Sequence, residues 1–171
     1  MAGVRVIPAI FCLAALTFST PMLAASSYAR ESALRMAPDF TRTDLDGKSL
    51  SLRKYRGKVV LLNFWATWCG PCLIEIPIFT AWQNTYRTAG LQVVGISMDD
   101  DAAPVMRMYQ KHHLNYPVAM GDAELGELFG GVLGLPLTYL IDPDGRIVGR
   151  YQGEPDLKQL EARIKSLLPR H

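Results

Sequence analysis

Seven consecutive residues, Val59-Val60-Leu61-Leu62-Asn63-Phe64-Trp65, are apolar at every position but one. A run this short and apolar on both pleats reads as a strand buried on both faces, which puts a sheet centre here with covering layers above and below. Two thiols come straight off its end in Trp68-Cys69-Gly70-Pro71-Cys72, at the mouth of an amphipathic helix. There the unpaired N–H groups and the macrodipole stabilise a thiolate on Cys69, the species that attacks disulfides. Pro71 suits a first helical turn, where its missing N–H costs nothing, and Gly70 is expected to let the backbone turn tightly between the sulfurs. The loop can then close into a small disulfide ring and reopen.

The segments around this unit alternate. Phe40–Leu45 and Lys48–Leu52 flank Asp46-Gly47 and predict an N-terminal hairpin. Ile74, Ile76, Phe79, Trp82 and Tyr86 mark a helix from Pro71 that stops near Thr88–Gly90, with Gly90 as its left-handed cap. Leu91–Met98 is a second buried strand. Asp99-Asp100-Asp101 reads as the capping start of a helix that ends near His112-His113. Tyr116–Met120 is a short strand and Asp122–Phe129 a short helix stopped by Gly130-Gly131. Leu137–Ile141 and Arg146–Tyr151 form a hairpin through Asp142-Pro143-Asp144-Gly145, and a helix over Pro155–Leu168 closes the chain. This order predicts an α/β fold with a central mixed β-sheet flanked by helices, an N-terminal β-hairpin and a central α/β insertion.

The chain has 171 residues, and its 18 basic and 16 acidic side chains are interspersed. No like-charged block marks a nucleic-acid partner. Arg5, the uncharged run from Val6, and small residues through Ser26 look like a secretory signal peptide over residues 1–26, with an uncleaved membrane anchor as the competing reading. A linker over 27–37 would precede a domain over 38–171. Either reading places that domain outside the cytoplasm. Cys12 falls in the leader and reads as a small apolar residue, so Cys69 and Cys72 are the mature chain's only pair.

The strand ending Asn63-Phe64-Trp65-Ala66-Thr67-Trp68, the Cys-Gly-Pro-Cys loop, Pro77 five residues past Cys72, and Leu135-Pro136 opening the late hairpin together resemble the thioredoxin-like fold. The likeness is specifically to the TlpA/ResA-like branch of extracytoplasmic thiol-disulfide oxidoreductases. The resemblance implies that Pro136 is a cis proline beside Cys69 and that the Leu135 backbone offers hydrogen bonds to an incoming polypeptide, with Trp68 also facing substrate. Cytoplasmic members carry a buried aspartate where this chain has Asn63. A glutamate of the ResA-like branch matches Glu75, one turn past Cys72, as a base for that thiol; a solvated glutamate complementing the dipole is the competing reading. Leu137 stands where relatives often have a small polar residue.

The function expected is protein-disulfide reduction, with Cys69 as nucleophile and Cys72 as resolver. The resemblance implies a membrane thiol relay as electron donor, and apocytochrome c or a copper-centre assembly protein as substrate. No cofactor and no metal is expected. The competing class is a copper or zinc metallochaperone using the same two cysteines, although two thiolates are too few for a closed zinc site and His112-His113 lie far along the chain. A peroxidase is disfavoured by Ala66, where a threonine would be needed.

Overall fold

The computed structural model describes residues 35–169, together with Gly3. The candidate leader with Cys12, and most of the candidate linker, lie outside the described residues. The elements are β1 (Thr41–Thr43), β2 (Ser49–Ser51), a 3-10 turn (Leu52–Tyr55), β3 (Val59–Trp65), α1 (Gly70–Tyr86), β4 (Leu91–Ser97) and α2 (Ala102–Lys111). After these come β5 (Val118–Met120), α3 (Ala123–Leu128), β6 (Leu137–Ile141), β7 (Ile147–Gln152) and α4 (Leu157–Leu167).

Side-chain alternation along β3 decides the layering. Val59, Leu61 and Trp65 enter one apolar cluster with Ile76, Phe79 and Trp82 of α1 and Leu160 and Ile164 of α4. Val60, Leu62 and Phe64 enter another on the opposite face, with Leu50, Leu52, Leu125 and Phe129. The five-stranded sheet runs β5-β4-β3-β6-β7, so β3 sits at its centre. β3 is parallel to β4 and antiparallel to β6, and β5 joins the outer edge of β4 in parallel. The insertion between β4 and β6 thus consists of α2, β5 and α3. This is the thioredoxin-like mixed sheet with its N-terminal hairpin.

That hairpin is shorter than expected. Asp44 N–H bonds the Lys48 carbonyl at 2.8 Å, leaving Leu45-Asp46-Gly47 as a three-residue loop with Gly47 at φ +78°. The two-residue turn gives way because Leu45 N–H is drawn to the Val118 carbonyl, at 2.8 Å, which attaches the hairpin to the exposed edge of β5. On the far edge, Arg35 to Ala37 pair with Gly145 to Ile147 alongside β7.

Ile74 is also corrected: it is exposed, whereas the buried stripe of α1 is Cys72, Glu75, Ile76, Phe79, Trp82 and Gln83. Counted from Cys72, the helical period selects positions 75 and 76 and passes over 74. Glu75 therefore lies on the core-facing stripe. Of the acidic triplet, Asp101 caps α2 as expected, accepting from Ala103 N–H at 2.9 Å. Asp99 does something else.

Candidate active site

Cys69 is the N-cap residue of α1, and its Sγ accepts the Cys72 N–H at 3.3 Å. The two cysteines form a disulfide with Cα atoms 5.3 Å apart. Exposure barely separates them, at 5% for Cys69 and 1% for Cys72. Helix position separates them better, since only Cys69 stands outside the first turn, facing the unpaired N–H groups. Pro71 occupies the first turn as expected. The reading of Gly70 is corrected: it is already helical, its φ lies outside the left-handed region, and a Cβ there would meet nothing within 4 Å. The tight turn between the sulfurs is the first turn of the helix itself.

A small polar patch, set by strand register, lies between the sheet and α1. Asn63 follows Leu61 by two residues on β3, so it shares the face that packs against α1. Thr138 is its cross-strand partner on β6, and Asn63 Nδ2 donates to Thr138 Oγ1 at 2.9 Å. The other hydrogen of the same amide points to Glu75 Oε2 at 3.5 Å. Glu75 is 2% exposed, and its Oε1 makes no hydrogen bond among the described residues. Burial, aided by the negative charge of Glu154, pushes the Glu75 carboxyl up to about 7, against the smaller opposing pull of the Asn63 amide. The solvated-glutamate reading is thereby corrected: the side chain is closed off from water and its carboxyl is raised well above the usual carboxylate range. Of this patch, sequence reasoning missed Thr138 and Glu154. The first is visible only through register, and the second lies in the loop after β7.

The Leu135–Pro136 bond is cis. Leu137 pairs with Phe64, so Pro136 lies one residue beyond the end of that ladder, where β3 gives way to the cysteine loop. Leu135 packs against the cluster that contains both cysteines. Its N–H and carbonyl make no hydrogen bond among the described residues, while the Pro136 carbonyl accepts from Gly153 N–H at 2.8 Å. Trp68 is 70% exposed next to Cys69, and Phe64, Trp65, Phe79 and Trp82 are core residues, as expected.

Asp99 is the other residue that sequence reasoning missed, hidden within a triplet that reads as a cap. It is buried and accepts from Thr67 N–H at 2.9 Å, from the Thr67 hydroxyl at 2.5 Å and from the Ser97 hydroxyl at 2.8 Å. These bonds tie the loop before Cys69 to the end of β4. Asp99→Ala is expected to destabilise the oxidised protein by about 2–3 kcal/mol, because it strands donors that had a charged acceptor; a denaturant midpoint equal to the parent's would contradict this.

The Redoxin family profile matches residues 33–165. The thiol-disulfide oxidoreductase ResA of Bacillus thuringiensis subsp. konkukian is 36% identical over 135 residues, covering 78% of this chain and 77% of the relative. ResA of Bacillus subtilis is 33% identical over 113 residues, covering 66% of this chain and 63% of the relative. Among solved structures, a putative thiol:disulfide interchange protein DsbE from Chlorobium tepidum superposes with a TM-score of 0.75 at 31% identity, covering 80% of this chain and 98% of its own.

Proposed function

Because the chain belongs to the redoxin family, among its ResA-like thiol-disulfide oxidoreductases, we propose that it reduces protein disulfides outside the cytoplasm, with Cys69 as nucleophile, Cys72 as resolver and Glu75 as the proton acceptor for Cys72. The thiolate of Cys69 attacks one sulfur of the substrate disulfide, and the other substrate sulfur leaves as a thiolate. Cys72 gives its proton to Glu75 and attacks Cys69, releasing the second substrate thiolate and closing the Cys69–Cys72 disulfide. Two electrons pass to the substrate. A membrane thiol relay then returns two electrons and reopens the pair.

The observation that carries this reading is a buried carboxyl one turn past Cys72, met by the Asn63 amide and pushed by its burial up to about 7. Such a group can accept a proton at the pH where the thiol must lose one. Family likeness supports apocytochrome c, or a copper-centre assembly protein, as substrate. The leader over 1–26, the linker over 27–37 and the domain over 38–171 belong to the same proposal. Among the described residues no helix is long and apolar enough to cross a membrane. Leu135 and Trp68 are the substrate-facing groups, with Pro136 holding the Leu135 backbone in place.

Direction is tested by equilibrating the dithiol against a buffer of known potential. The Gly-Pro dipeptide between the cysteines leads us to expect a value nearer the roughly −270 mV of thioredoxin than the roughly −120 mV of strong oxidants. A value at the oxidising end would reverse the proposed direction. Processing is tested by the mass of the exported protein, which is expected to lack residues 1–26.

A further inference from the structure

Arg42, Arg53 and Arg146 each pair with an aspartate, whereas Arg150 has no carboxylate partner among the described residues. It is nonetheless fixed in place. Arg150 Nε donates to Tyr139 Oη at 3.1 Å, its Nη2 donates to Gln152 Oε1 at 3.0 Å, and its guanidinium carbon lies 5.9 Å from the centre of the Tyr139 ring. Both acceptors are held in turn. The Tyr139 hydroxyl donates to the Phe129 carbonyl at 2.6 Å, and Gln152 Nε2 donates to the Gly134 carbonyl at 2.7 Å. These partners are all neutral, so the charge of Arg150 is oriented without being neutralised, and its Nη1 makes no hydrogen bond among the described residues. An oriented guanidinium with a free edge suits a carboxylate, because the planar fork of N–H groups matches two carboxylate oxygens.

That edge stands over a cleft of about 470 Å³, within the range of small-ligand sites, whose lining also includes Arg35, Pro38, Leu128, Phe129 and Ile147. Arg35 brings a second positive charge, and no carboxylate belongs to the lining among the described residues. Leu128 is one of the exposed large apolar side chains, and Phe129, Tyr139 and Ile147 belong to the cluster on the face of the sheet turned away from α1. The cleft is therefore separate from the disulfide site.

We infer that this cleft binds a small amphipathic carboxylate, with its head on Arg150 and Arg35 and its apolar body against Pro38, Leu128, Phe129 and Ile147. The two uncompensated charges disfavour cations, and the apolar wall gives a small inorganic anion no surface to bury. The site goes beyond the redox reading and does not depend on it.

Phenylbutyrate is the probe, titrated into the oxidised full chain and followed by amide chemical shifts, which read affinity and location together. Half-saturation is expected near about 1 mM, an ordinary affinity for a ligand of this size, with shifts in β7 and around Phe129. Phenylbutanol, which keeps the body without the charge, and acetate, which keeps the charge without the body, are each expected to bind at least about tenfold more weakly. Arg150→Met retains an apolar stem and is expected to weaken phenylbutyrate about tenfold. Arg35→Met, at an exposed position where folding is not at stake, is expected to weaken it about threefold. Circular dichroism establishes that each variant is folded. No saturable binding by the parent, equal affinity for the alcohol, undiminished affinity in both folded variants, or shifts confined to the cysteine loop would each overturn the site. A hexapeptide ending in a free Phe carboxylate separates the source of the head group: tighter binding than phenylbutyrate would assign the cleft to polypeptide C-termini and overturn the small-molecule assignment.

Discussion

A Cys72→Ser variant expressed in its native compartment is expected to accumulate covalent mixed disulfides on Cys69, and Cys69→Ser to fall to the uncatalysed background. The asymmetry follows from the helix. Cys69 stands at the N-cap, where the unpaired N–H groups and macrodipole favour its thiolate, while Cys72 is one turn inside the helix. Without Cys72 the first exchange proceeds and the second cannot, so the adduct persists. Non-reducing electrophoresis followed by mass spectrometry of the trapped species reads the result and names the substrates. Adducts on Cys69→Ser in place of Cys72→Ser would reverse the two roles.

Glu75→Gln is expected to remove a pH dependence that the proposed role of Glu75 gives the parent in both rate and stability. In the parent, the resolving step is expected to gain rate as pH rises through about 7, where the proposed base Glu75 loses its proton. The variant loses that inflection and slows by about 10²-fold, the lower range for general acid–base assistance. Stability changes in the opposite sense. The folded carboxyl is pushed up to about 7 from the 4.5 of a solvated glutamate, so between these pH values the folded protein holds a proton that the unfolded chain has released. The oxidised parent is therefore expected to lose stability progressively as pH rises from 4.5 to about 7, by about 3 kcal/mol in total. Glu75→Gln flattens this slope and is the more stable protein at pH 8. Denaturant midpoints across the window measure it, and parallel slopes for the two proteins would refute the assignment.

The parts of the site that were legible in the sequence are those whose chemistry is local. An apolar run bounded by turn residues reads as a buried strand, and two cysteines at a strand-to-helix junction read as a redox pair, because burial and helix-end electrostatics act over a few residues. Glu75 was only half legible. Its spacing from Cys72 gave its direction, yet taking Ile74 into the apolar pattern hid the fact that the buried stripe passes through Glu75 itself. Gly70 was over-read, since a glycine between two bridged cysteines suggests a tight turn that the helix supplies without it. Asp99 was masked by its neighbours, because a run of three aspartates before a helix satisfies the capping expectation whichever of them does the capping.

The sequence by itself determined the sheet centre, the redox pair, its place at a helix mouth and the α/β layering, all consequences of periodicity and of forces that fade within a turn or two. Only the tertiary structure decided what surrounds the pair. Cross-strand register brought Thr138 to Asn63, and the packing of α1 on β3 brought Glu75 to the same amide, across 75 and 12 residues of chain. Packing of α1 onto β3 closed Glu75 away from water and so moved its titration into the neutral range. The reason is desolvation: a carboxyl's affinity for its proton depends on how much water reaches it, and that is fixed by residues from three elements that meet only after the chain has folded.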